Sequence, residues 1–169
     1  MKYIVMLTLV GCLIACNNRP KQLKEQKQAE QPVYDTNKVL GPINFGISQQ
    51  EYPAKVPGTY MQVGSYRYEL QPEFSKDGKL TALRLLSLSE PADRVQSKLF
   101  NQMQNLLSVL KTENGTPTED TGFPDFKTMK NNAVAWNYVW SNPPKAVRLG
   151  LEKMTSGDEY RVICEIRQK

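Results

Sequence analysis

The chain has 169 residues, 22 of them basic and 17 acidic, for a formal net charge of +5. It contains no histidine, which excludes His-based triads, His-ligated zinc and the usual proton shuttle at neutral pH. The positive excess falls well short of the basic footprint of a nucleic-acid binder, so no nucleic-acid partner is expected.

Lys2 opens the chain with a positive charge, and the run from Ile4 to Ala15 is free of charge and mostly apolar. A membrane-spanning helix needs about 20 apolar residues, so this run is too short to anchor the chain by itself. Its length suits the apolar region of an export signal, about 7–15 residues long. It ends in Leu13-Ile14-Ala15-Cys16. That tetrapeptide resembles the lipobox of bacterial lipoproteins, in which a small residue precedes the cysteine. The resemblance implies that residues 1–15 are a signal peptide and that Cys16 becomes the lipidated first residue. It also implies a palmitate-bearing, membrane-anchored mature chain. Two or more acyl chains hold a protein stably, whereas one holds it marginally. Asn17 and Asn18 follow, with no Asp at the second position and no acidic cluster. By likeness to Gram-negative lipoproteins, this favours the periplasmic face of the outer membrane.

Residues 16–38 are rich in Gln, Lys and Asn and hold few large apolar side chains. Such a segment buries too little surface to offset chain entropy, so it is expected to be a flexible tether of about 25 Å root-mean-square length. Residues 39–169 are then a single α+β domain. Cys12 leaves with the signal and Cys16 is consumed by lipidation, so Cys164 is the remaining thiol. The core must therefore hold without an internal disulfide.

Ser48 and Glu51 form a capping box at the start of a short helix, and Pro53 limits that helix to one or two turns. From Ser65 to Ser75, Tyr66, Tyr68, Leu70 and Phe74 alternate with Arg67, Glu69, Gln71 and Glu73, the pattern of a half-buried strand. Asp77-Gly78 signals a hairpin, and Leu80 to Leu88 returns as a nearly continuous apolar strand. Val95, Leu99, Met103, Leu106, Leu107 and Leu110 recur at helical spacing, widened by Phe100. That helix starts between Ser89 and Asp93 and ends at Asn114-Gly115. Thr116 to Asn132 reads as a long connection, of the kind that often carries function. Three strands follow: Ala133 to Ser141, Val147 to Lys153 and Tyr160 to Arg167. Together these predict an antiparallel sheet of about five to six strands, covered on one face by the long amphipathic helix, plus the short helix.

Trp136, Tyr138 and Trp140 share one face under strict alternation and are a candidate binding platform, or else core. Glu119, Asp120 and Asp125 are candidate cation ligands or acid–base carboxylates, though they lack calcium-loop spacing. Cys164 lies on the face of Val162 and Ile166 and reads as core rather than as a reactive thiol. Arg148, Glu152, Arg161, Glu165 and Arg167 read as a cross-strand ladder of ion pairs or an anion site. No catalytic residue, metal site or cofactor is assigned. The short capped helix after Phe45-Gly46-Ile47, followed by strands, is loosely similar to small outer-membrane assembly lipoproteins over about a quarter of the chain. Pro53 departs from that pattern by cutting the helix short. The expected function is a non-enzymatic envelope lipoprotein that binds a protein or envelope component. Two alternatives stand beside it: an envelope hydrolase using the loop carboxylates, and a binder of a small apolar ligand.

Overall fold

Apolar alternation dictates most of the architecture. In β4 (Tyr66–Phe74) the residues Tyr68 and Leu70 are buried while Arg67 points to solvent. The computed structural model describes residues 34–155 and 158–169. The expected signal peptide, Cys16 and most of the expected tether lie outside the described residues. The described residues fall within one compact unit.

A two-stranded pair opens the described chain, β1 (Lys38–Leu40) with β2 (Ile43–Asn44). Lys145 holds it in place. Its Nζ donates to the carbonyl of Lys38 at 2.6 Å and lies 3.5 Å from that of Val39. Burial lowers the Lys145 pKa, as expected for a cation removed from water. The short helix α1 (Tyr52–Lys55) is a single turn with Pro53 at its start. The capping box is present: the Ser48 N–H donates to the Glu51 carboxylate at 2.9 Å, and the Glu51 N–H lies 3.2 Å from Ser48 Oγ.

The main sheet is antiparallel and has eight strands, more than the five to six expected. Its order is β3 (Tyr60–Val63), β4, β5 (Leu80–Leu86), β10 (Glu159–Gln168), β9 (Lys145–Lys153), β8 (Val134–Trp140) and β7 (Glu119–Asp120). The two-residue β6 (Glu90–Pro91) pairs with β10 off this path. The additional strands are short. β3, β6 and β7 have two to four residues each, too few for alternation to show, and neighbours across the sheet recruit them.

The apolar stripe forms the expected helix, entered through a 3-10 turn at Ala92–Arg94 and a π turn at Val95–Leu99. Pro91 lies just before the 3-10 turn. The α-helix proper, α2 (Phe100–Asn114), ends where Gly115 takes φ +78°, a conformation glycine adopts freely. Val95, Leu99, Met103, Leu106, Leu107 and Leu110 are all buried. They share one hydrophobic cluster with Tyr68, Leu70, Leu83, Leu85, Tyr138, Trp140, Val147, Leu149, Leu151, Tyr160, Val162, Cys164 and Ile166. Register lines up Leu70, Leu85, Cys164, Leu149 and Tyr138 across five strands, which defines an apolar face of the sheet. A thiol in such a row is inert: Cys164 is fully buried, and burial pushes its pKa far up.

Candidate binding face

The other face of the sheet is polar, and strand register orders it in rows. One row crosses six strands: Tyr60, Glu69, Leu86, Ile163, Gly150 and Trp136. At about 4.8 Å per strand its end aromatics are about 24 Å apart. A guanidinium stacks on each. Arg67 lies 4.5 Å from the Tyr60 ring centroid, and Arg148 lies 4.4 Å from that of Trp136. Between them Leu86 and Ile163 are nearly buried, although among the described residues no strand lies over them. Long charged side chains in the flanking rows can shield such residues with their aliphatic stems while their heads stay wet.

The adjacent row runs Gln71, Arg84, Glu165, Arg148 and Val139. Glu165 is only 5% exposed and accepts from Arg148 Nη2 at 2.6 Å and from Arg84 Nε at 3.0 Å. Burial raises its pKa, but the two hydrogen bonds and the arginine charges outweigh burial and leave it lowered. Arg167 bridges to Glu73 at 2.7 Å, and Arg161 donates to Glu152 at 2.6 Å. The arginines and glutamates of these strands therefore form the expected cross-strand ladder.

At the β3 end the row opens into a hollow of about 330 Å³ bordered by Tyr60, Arg67, Glu69, Leu86, Ser87 and Leu88. Leu88 is 74% exposed and Tyr60 is 41% exposed. A broader hollow of about 470 Å³ lies elsewhere, where Lys127 and Lys153 meet Asp93 and Asp158.

The three aromatics expected on one face are divided. Trp136 pairs with Gly150 and Tyr138 pairs with Leu149, so Asn137 is an extra residue in β8. This β-bulge breaks the alternation. Tyr138 and Trp140 face the core, and the Trp140 Nε1 donates to the Gly115 carbonyl at 2.8 Å. Trp136 turns to the polar face, half-buried under Arg148. Gly150 makes room for this, because a Cβ there would lie 2.1 Å from the Ala135 carbonyl oxygen.

The carboxylates diverge as well. Glu119 and Asp120 occupy edge strand β7 rather than a loop, paired with Val139 and Tyr138. Successive strand residues point to opposite faces, so these two cannot act on one atom. Asp120 lies 3.8 Å from Lys111 and accepts from the Gly122 N–H. Asp125 caps a 3-10 turn at Phe126–Thr128. Among the described residues no cluster of three potential metal ligands occurs. Sequence reasoning passed over Tyr60, Leu86 and Leu88 as binding residues. Leu88 carried a signal, a large apolar residue just beyond a strand whose neighbours are polar.

No protein-family profile matches the chain, and no curated protein does. Among solved structures, a DUF4309 family protein (YjgB) from Bacillus subtilis subsp. subtilis str. 168 is similar at 12% identity and a TM-score of 0.34. The match covers 72% of this chain and 78% of that one, and a likeness of this size carries no argument.

Proposed function

We propose that this chain is a non-enzymatic lipoprotein, anchored through Cys16 at the periplasmic face of the outer membrane. Its folded domain docks an envelope protein on the polar face of the sheet. The long helix serves as cover for the apolar face, which leaves the polar face for the partner. The row from Tyr60 to Trp136 is the observation that carries this reading. It offers residue types that dominate interface energetics, Tyr60 with Arg67 beside the exposed Leu88 at one end and Trp136 with Arg148 at the other.

Two measurements test the proposal. Cells fed a clickable fatty acid incorporate it into the native chain and not into Cys16→Ser. Crosslinking in intact envelopes yields a stoichiometric partner with the native chain and loses it with Leu88→Ser combined with Tyr60→Ala. Absence of label from the native chain removes the anchor. An unchanged partner in the double variant removes the docking face.

A further inference from the structure

The two edges of the main sheet are built differently. β7 at one edge is two residues long and both are acidic, a common guard against stray strand pairing. β3 at the other edge is Tyr60-Met61-Gln62-Val63, four residues with no charge. Residues 57 to 60 and Gln62 are exposed, and among the described residues no strand pairs with the outer side of β3.

The backbone of β3 has a defined polarity. The Leu70 N–H donates to the carbonyl of Thr59, just before β3, at 2.7 Å, which marks that position as hydrogen-bonded to β4. Exchange alternates along an antiparallel pair. Met61 and Val63 therefore bond inward to Tyr68 and Tyr66, while the N–H and C=O of Tyr60 and Gln62 point away from the sheet. Only another extended backbone matches two such donor–acceptor sets at strand spacing. The surrounding side chains narrow the choice. Tyr60 and Leu88 border the 330 Å³ hollow beside this edge. Arg67 leans over Tyr60 towards the edge, and no carboxylate among the described residues lies within 4.0 Å of it.

We infer that β3 captures an extended peptide segment of the partner by strand addition. The segment places an apolar side chain beside Tyr60 and an acidic one against Arg67. This rests on the docking-face reading and names the chemistry of the partner there.

Proline tests it directly. Because the Gln62 N–H points outward, Gln62→Pro removes an edge donor without removing a β3–β4 hydrogen bond. The probe is a displayed library of random ten-residue peptides, selected on the Pro32–Lys169 unit in its full chain. Gln62→Pro is expected to weaken the selected peptides about tenfold or more, since a carbonyl of the bound strand loses its partner. Gln62→Ala changes binding less than about twofold, because at this position the backbone rather than the side chain serves the peptide. The native urea midpoint of Gln62→Pro confirms that the domain is intact. The Tyr60 and Gln62 amides exchange more slowly when peptide is bound. Arg67→Gln abolishes the preference for Asp or Glu among the selected sequences.

Binding indifferent to Gln62→Pro but lost in Leu88→Ser overturns strand addition and leaves the docking face standing. Failure to select any peptide, or selection of peptides indifferent to both variants, overturns strand addition, while the docking face falls only if crosslinking to the partner also survives Leu88→Ser combined with Tyr60→Ala. Concentration-dependent dimerisation that Gln62→Pro abolishes would give the edge to a second copy of the chain and overturn the peptide assignment.

Discussion

Replacing Glu165 by Gln tests whether the arginines or the burial govern the centre of the polar face. The native carboxylate accepts charge-assisted hydrogen bonds from Arg148 at 2.6 Å and Arg84 at 3.0 Å. Each such bond contributes about 1.5–3 kcal/mol, and burial of the carboxylate takes part of that back. The Arg84 and Arg148 side chains are 48% and 41% exposed, so they stay solvated when their partner changes. A net loss of about 1–3 kcal/mol at pH 7 follows, a fall of roughly 1 M in urea midpoint at an ordinary m-value. The pH dependence has a definite sign. The folded pKa lies below that of an unfolded glutamate, about 4.3. The stabilisation is therefore fully present above about pH 5 and disappears as pH falls through the folded pKa. Urea unfolding of both proteins from pH 7 to pH 3 is the assay. The gap between native and Glu165→Gln should narrow on acidification. A gap of constant size, or a variant more stable than native at pH 7, refutes the reasoning by showing that burial outweighs the arginines.

The divided aromatics predict unequal costs. Trp140→Ala should lose about 3–5 kcal/mol in urea unfolding, while Trp136→Ala should lose less than half of that and weaken partner crosslinking. Gly150→Ala should cost about 2–3 kcal/mol, because its new methyl meets the Ala135 backbone rather than a movable side chain. A native-like midpoint for Gly150→Ala would show that β8 shifts freely. Maleimide should modify Cys164 only in denaturant, as expected of a fully buried thiol, and rapid labelling of the native protein would contradict that burial.

Several elements were legible because their signal is local. The capping box at Ser48 and Glu51, the helix stop at Gly115 and the alternation in β4, β9 and β10 depend on neighbours within a few residues. The stripe from Val95 to Leu110 repeats often enough to stand out from its surroundings. By contrast β3, β6 and β7 have no pattern of their own, and they become strands because β4, β10 and β8 offer unpaired backbone. The stretch from Thr116 to Asn132 looked open for the same reason. Phe126 is anchored by a partner far along the chain, Tyr160, whose hydroxyl donates to the Phe126 carbonyl at 3.1 Å.

The candidate site divides along the same line. Its ladder of Arg148, Glu152, Arg161, Glu165 and Arg167 was visible as alternation, since each residue's face follows from position within its own strand. Which aromatics share a face was not visible, because one extra residue at Asn137 reverses the side on which Trp136 emerges.

By itself the order of residues determined the lipobox-like run at Cys16, the expectation of an anchored chain, the helix, and the two-sided character of the long strands. These depend on spacing along the backbone. Only the tertiary structure decided the strand order, the bulge at Asn137, the alignment of Tyr60 with Trp136 and the position of β3 at a sheet edge among the described residues. Those depend on pairings between residues distant in the chain, and a hydrogen-bonded ladder does not record its register in either strand alone.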